Sequence, residues 1–242
     1  MLRITSEGGF IGPSATLAVL PIVVVYDDGR IFTPGAVDAV YPGPLLPTLA
    51  VRNVGPAGAR AIAAAIHAAG LDVAGSGGGG VAADTGTTVF AVVVAGQTVT
   101  TRIANSGGGP GPPGGNPGSA PALDLLARLI DTSETWGSPA APETAFAPTA
   151  YRIFVAPGAP AADPSVTQAP RAWPLAGTLD SFGILAQPDR GITGLRVGVV
   201  SGPDAAIVGP FLASATMLTP VMSGGRAYTL YVRPLLPDET PN

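Results

Sequence analysis

Apolar positions recur along this chain at two periods, and the switches between them mark its elements. Residues 2–5 and 17–26 alternate or run apolar as strands do, with Val23, Val24 and Val25 supplying stiff β-branched bulk. Asp28-Gly29 then parts them from Arg30-Ile31-Phe32-Thr33, and Asp-Gly between two β-prone runs predicts a hairpin. A strand is expected at 48–54, followed by a helix that Gly55-Pro56 opens, because proline at the first helical position is pre-set in φ. Ile62 and Ile66, with Ala59, Ala63 and Ala69, form its expected buried face, and Gly70 stops it. Residues 87–95 and 97–104 read as a second hairpin, turning at Gly96-Gln97.

The second half repeats these signals more loosely. A helix starting at Ser119 or Pro121 and reaching about Thr135 is predicted from Ala122, Leu125, Leu126, Leu129 and Ile130, with Asp124 and Arg128 paired on its other side. Tyr151 to Ala156 reads as a strand. From Leu195, Val197 and Val199 alternate with Arg196 and Gly198, as in a half-buried strand. Gly202-Pro203 opens a third helix, with Asp204 well placed in its first turn, and Gly209-Pro210 is expected to kink or break it. Residues 217–222 and 227–233 then pair across a Gly224-Gly225 turn. The fold class is therefore α+β, with mixed or antiparallel sheets and about three helices packed on them. Strand, Gly-Pro helix and hairpin recur in that order, which suggests a degenerate internal repeat.

The stretch 106–121 is so rich in glycine and proline that it reads as a linker or mobile loop. It divides the chain into an α+β half at 1–105 and another at 122–242, either separate or sharing one core. Residues 41–47, Tyr-Pro-Gly-Pro-Leu-Leu-Pro, cannot form a central strand and are expected to cross the surface.

Composition narrows the chemistry. Of 242 residues 46% are apolar and only 12% charged, so there is ample material for a core. All the basic residues are arginines, scattered singly in a chain of net charge −4; counterion release from a nucleic acid needs them clustered. The lack of lysine excludes Schiff-base and P-loop chemistry. The lack of cysteine excludes disulfides, thiolate catalysis and thiolate metal sites. The opening Met-Leu-Arg-Ile-Thr-Ser-Glu-Gly-Gly reads without a signal peptide, and the run from Ala15 to Tyr26, interrupted by Pro21, is too short for a transmembrane segment. On this reading the chain as given is soluble.

No motif assigns a reaction. Asp84-Thr85-Gly86-Thr87 matches the loop of aspartic proteases, whose chemistry needs a second aspartate sharing one proton. The nearest internal partner is Asp180-Ser181-Phe182-Gly183, which carries an inserted Phe. Asp84 is the one candidate for a hydrolase with convergent carboxylates. Asp27-Asp28 is explained by turn chemistry, and the lone His67, near a helix C-terminus, by the macrodipole. Gly77–Gly80 lacks the Gly-Lys-Ser/Thr of a phosphate loop. No cofactor and no metal is expected. Trp136 and Trp173 are expected to anchor their Pro-rich loops on the core rather than to stack on sugars.

Four stretches together resemble a known family: Val25-Tyr26-Asp27-Asp28-Gly29-Arg30-Ile31-Phe32, the 41–47 run, Trp173-Pro174-Leu175, and residues 223–239, SGGRAYTLYVRPLLPDE. The family is one of uncharacterised exported or lipoprotein-like proteins of GC-rich bacteria, often with cysteines in the second half, which this chain lacks. The resemblance implies a secreted or cell-envelope protein, placed there after leader removal, and attaches no catalytic residue. The expectation is a non-catalytic binding module for a protein, glycan or envelope component. The alternatives are the hydrolase centred on Asp84 and a self-assembling structural protein.

Overall fold

The computed structural model describes residues 1–8, 16–37, 39–73, 86–104, 119–137, 139, 142–161, 163–186 and 191–239. The chain is α+β and forms two compact units interleaved in sequence. The first takes Met1–Ile11, Leu20–Gly35 and Leu49–Phe146; the second takes Gly12–Val19, Ala36–Thr48 and Ala147–Asn242. Residues 105–118, most of the expected linker, lie outside the described residues. The first unit continues past them to Phe146 and so includes the second helix.

The strands of the first unit are β1 (Leu2–Glu7), β2 (Val23–Val25), β3 (Arg30–Pro34), β4 (Leu49–Asn53), β5 (Thr87–Val94), β6 (Gln97–Ala104) and β7 (Thr144–Ala145). They form one sheet in the order β6-β5-β1-β2-β3-β4-β7, every neighbouring pair antiparallel. β2 is much shorter than the 17–26 run expected: Pro21 has no ladder donor, and Leu17 belongs to the other unit. The Asp28-Gly29 hairpin forms with a three-residue loop. Tyr26 N donates to Arg30 O (2.9 Å), Gly29 N donates to Tyr26 O (3.0 Å), and Gly29 takes the left-handed position at φ 88°. A side chain there would also begin 2.4 Å from Gly55 O, so the hairpin can sit against the next helix only as glycine.

That helix, α1 (Gly55–Ala68), starts at Gly55-Pro56 as predicted, and Asn53 Oδ1 accepts a hydrogen bond from Gly55 N (2.8 Å). Its buried line is Gly58, Ile62 and Ile66, not Ala63, which is exposed. The second helix, α2 (Ala120–Ile130), buries Ala122, Leu125 and Leu129. It ends five residues short of Thr135, where Asp131 turns extended and its carboxylate accepts from Ser133 N (2.8 Å) and Ser133 Oγ (2.7 Å). The last turn is capped from β4. Buried Arg52 donates from Nη2 to Leu129 O (2.8 Å) and from Nη1 to Glu134 O (3.1 Å). Arg128 does not serve Asp124 as expected; it meets Glu134 (3.0 Å) and stacks over Trp136, 4.3 Å from the ring centre. Both helices lie on one face of the sheet, over Leu2, Ile4, Val25, Ile31 and Phe90. The β5–β6 turn is Ala95-Gly96, one residue before the position expected. Both central residues have positive φ (48° and 78°), as a two-residue hairpin loop requires.

The second unit holds β8 (Ala150–Pro157), β9 (Arg171–Ala172), β10 (Ile184–Leu185), β11 (Arg196–Ser201), β12 (Val221–Ser223) and β13 (Arg226–Pro234). Their order is β10-β11-β8-β13-β12-β9, antiparallel except for the β12–β9 pair. One face, with Tyr151, Ile153, Val155, Val200, Leu230 and Val232, packs under α3 (Gly202–Ala213) and the Trp173 loop. The other face, with Phe154, Ala156 and Leu195, is covered in part by Leu17. β11 is therefore covered on both sides, Val197 joining one cluster and Val200 the other, instead of alternating between core and solvent.

α3 runs through Pro210 as one helix, so of the expected kink or break the break does not occur. Pro210 and Ala206 are both exposed, so the carbonyl that loses its helical donor faces water. Val208, Gly209, Phe211 and Leu212, all buried, hold the segment down on either side. The strand–helix–hairpin order is present in both units but is threaded differently. β1, β2 and β3 separate β4 from β5, whereas only β8 separates β11 from β13. The first strand of the hairpin faces inward in one sheet and the second strand does so in the other.

Candidate functional site

The second unit carries a loop that is clamped through its backbone and bears exposed apolar side chains. Residues 41–47 do more than cross the surface: Leu45 is buried in the core with Tyr151 and Phe211, and Leu46 packs beside it. Backbone bonds clamp the loop to the segment after α3. Leu45 N donates to Ala215 O (2.9 Å), Met217 N donates to Gly43 O (3.0 Å), and Pro44 bridges Thr216. The clamp is itself braced, because Thr216 and Thr219 hydroxyls donate to Gln168 Oε1 (3.1 and 3.4 Å). The Tyr41–Pro42 peptide is cis.

Ahead of this anchor stand Val40 and Tyr41, 62% and 64% exposed, with Met217, 53% exposed, whose methyl lies 3.2 Å from where a side chain on Gly43 would begin. Tyr41 is tied at its tip, its Oη donating to Asp163 Oδ2 at 2.7 Å. Asp163 is held by Ser165, whose N (2.8 Å) and Oγ (2.6 Å) both donate to Oδ1. The electrostatics agree with the geometry. The hydrogen bond to Asp163 raises the Tyr41 phenol above its ordinary pKa, and the Ser165 hydroxyl followed by Tyr41 holds the Asp163 carboxyl below its own. The result is an exposed aromatic ring tied at its hydroxyl, next to exposed Val40 in a loop whose Gly43 lies against exposed Met217. The sequence marks this loop as surface-crossing and as one of the stretches that carry the family resemblance, with no sign of the bond between Tyr41 and Asp163.

Asp84 and the Gly77–Gly80 tract lie outside the described residues. Asp180 is exposed, and its carboxyl is held below the ordinary range, chiefly by the Thr178 side chain, the opposite of an acid kept protonated for catalysis. The other carboxyls that their surroundings move, Asp131, Glu134 and Asp163, also move down, each anchored by hydrogen bonds. His67, exposed near the end of α1, contacts Asp72 through Nδ1 (2.8 Å). Asp28 accepts from Arg30 N (3.1 Å) and Arg30 Nε (2.7 Å), which is the turn chemistry anticipated. Among the described residues no group of three or more His, Cys, Asp or Glu is placed to hold a metal ion.

Trp136 and Trp173 both lie in the cores, as anchors do. Each unit also has cavities. In the first, about 400 Å³ opens between α1 and the ends of β1, β2 and β5, lined by Asp27, Arg60 and Asp72 over an apolar floor. In the second, about 350 Å³ lies beside Asp180, Arg196 and Arg226, though Arg196 is spent on Phe182 O (2.7 Å) and Gly183 O (3.1 Å). A larger open groove of about 660 Å³ runs from Trp173 to Asp204. No helix among the described residues is long and apolar enough to cross a membrane. No protein-family model, curated protein or solved structure matches the chain.

Proposed function

We propose that this chain is a non-catalytic binding module of a secreted or cell-envelope protein, which engages an apolar surface on a protein partner through Tyr41, Val40 and Met217. The observation that carries this reading is the exposed ring of Tyr41, tied at its hydroxyl to Asp163. An interface aromatic supplies most of its contact area without new hydrogen bonds, and its usual cost is the rotamer freedom lost on docking. Here that freedom is already restricted by Asp163 and by the clamp at Gly43 and Leu45. Met217, against Gly43 of the same loop, adds a flexible, polarisable contact. The exported location rests on the family resemblance of residues 25–32, 41–47, 173–175 and 223–239.

The test is retention of envelope components on the immobilised protein, compared with Y41A and M217S. Both positions are exposed, so both variants should melt like the parent. The component held by the parent should be lost from both and, once purified, should bind the parent with a negative heat-capacity change. Equal retention by the parent and both variants would remove the reading.

A further inference from the structure

The cavity beside Asp180 in the second unit sets a basic lining over an apolar floor. Its volume of about 350 Å³ falls within the usual size of a small-molecule site. Strand register builds it. Arg196 on β11 pairs with Val155 on β8, and Pro157 on β8 pairs with Tyr228 on β13. Paired residues share a face, and so do residues two apart on one strand, so these four and Arg226 all stand on the face that carries α3. Val155 and Tyr228, both buried, make the apolar floor, and the two arginines come from the strands on either side of β8. The wall is the Leu179–Ser181 turn, fixed to β12 by the bond from Leu179 N to Ser223 Oγ (3.0 Å).

The two guanidinium groups are held differently. Arg196 donates from Nε to Phe182 O (2.7 Å) and from Nη2 to Gly183 O (3.1 Å), which orients its plane and leaves Nη1 without a hydrogen bond among the described residues. Arg226 is exposed, and its side chain makes no hydrogen bond or ion pair among the described residues. Asp180, the acid of the lining, is hydrogen-bonded to Thr178, and Arg226 acts on it only at longer range. Two positive charges thus face one negative charge that already has a partner. We propose that this cavity binds a small organic carboxylate, its anionic end taken by Arg226 and Arg196 Nη1 and its apolar body laid on Val155 and Tyr228. Guanidinium donors match a carboxylate in shape, and the charge makes each bond stronger than a neutral one. An inorganic anion would leave the apolar floor uncovered, and a cation would meet both arginines. The site shares no residue with the Tyr41 surface and stands or falls independently of it.

Isothermal titration of the full chain with hydrocinnamate should show saturable binding at one site. Hydrocinnamide, the same shape without the charge, and inorganic phosphate, the charge without the apolar body, should each bind at least about tenfold more weakly. R226Q, at an exposed position, should melt like the parent and weaken hydrocinnamate binding by at least about tenfold. D180N should tighten it, because the one carboxylate of the lining repels the ligand's own. Hydrocinnamate that shows no saturable binding, an amide or phosphate that binds as tightly, an R226Q protein with the parent's affinity, or a D180N protein that binds less tightly would each overturn the proposal.

Discussion

Gly209 in α3 offers a sharp check on the packing of the second unit. Replacing glycine by alanine inside a helix ordinarily stabilises by about 1 kcal/mol. At this position a Cβ would lie 2.6 Å from Tyr151 Oη, far inside contact distance, and 3.4 Å from Cζ, which is ordinary contact. The hydroxyl cannot swing aside, because it is fixed to a buried ring in the core. Overpacking of this kind costs about 1–3 kcal/mol, so G209A should be destabilised by about 1 kcal/mol net, opposite in sign to its helix propensity. Y151F removes the clashing atom. It gives up only a long hydrogen bond to Pro148 O (3.4 Å), a loss of about 0.5 kcal/mol. In the Y151F background G209A should therefore become stabilising, with a coupling between the two sites of about 2 kcal/mol. Urea unfolding can be followed by Trp173 fluorescence in a common W136F background, because Trp173 sits 5.9 Å, edge to face, from Phe211 of the same helix. A G209A protein more stable than its parent, or a cost unchanged by Y151F, would refute the packing assigned to α3.

Other consequences concern single contacts. R52M should destabilise the first unit by about 3 kcal/mol, since it breaks two charge-assisted bonds and strands the Leu129 carbonyl at the end of α2 and the Glu134 carbonyl beyond it. The last turn of α2 should lose amide-exchange protection first, and R52K, a point donor, should restore only part of it. The Tyr41–Asp163 bond should hold across a bounded pH window. Asp163 is depressed in the folded protein, so its contribution is present above the ordinary aspartate pKa and lost as pH falls through its native value. Tyr41 is raised, so its contribution is present below the ordinary phenol pKa and lost as pH rises through its native value. The loop should thus be best held between about pH 4 and 10, and D163N should bring the Tyr41 ionisation seen by ultraviolet absorbance back toward the ordinary value.

Much of the local structure was legible in the residues themselves. Gly-Pro at 55–56 and 202–203 starts helices because proline's φ is already helical there and its missing N–H is not needed. Asp28-Gly29 and Gly224-Gly225 turn because their glycines accept positive φ. The i, i+3, i+4 spacing of Ala122, Leu125 and Leu129 found the buried face of α2. Each of these is decided within a few residues by backbone sterics and helical period, so sequence alone determined the α+β content and the number of helices.

Only the tertiary structure decided the rest, because each case depends on a partner distant along the chain. β1 lies between β2 and β5, and β8 lies between β11 and β13, orders fixed by which apolar faces share a core. α2 ends at Ile130 rather than Thr135 where Asp131 turns extended and accepts from Ser133, and an arginine on β4 takes the Leu129 carbonyl. α3 survives Pro210 because buried neighbours hold it and the freed carbonyl, on an exposed residue, can accept from water. Tyr41 is tied at its tip because Asp163, 122 positions away, accepts from its hydroxyl. Such contacts form only after long loops have closed, when burial of both faces has outweighed the entropy of closure. No short stretch of sequence carries that balance.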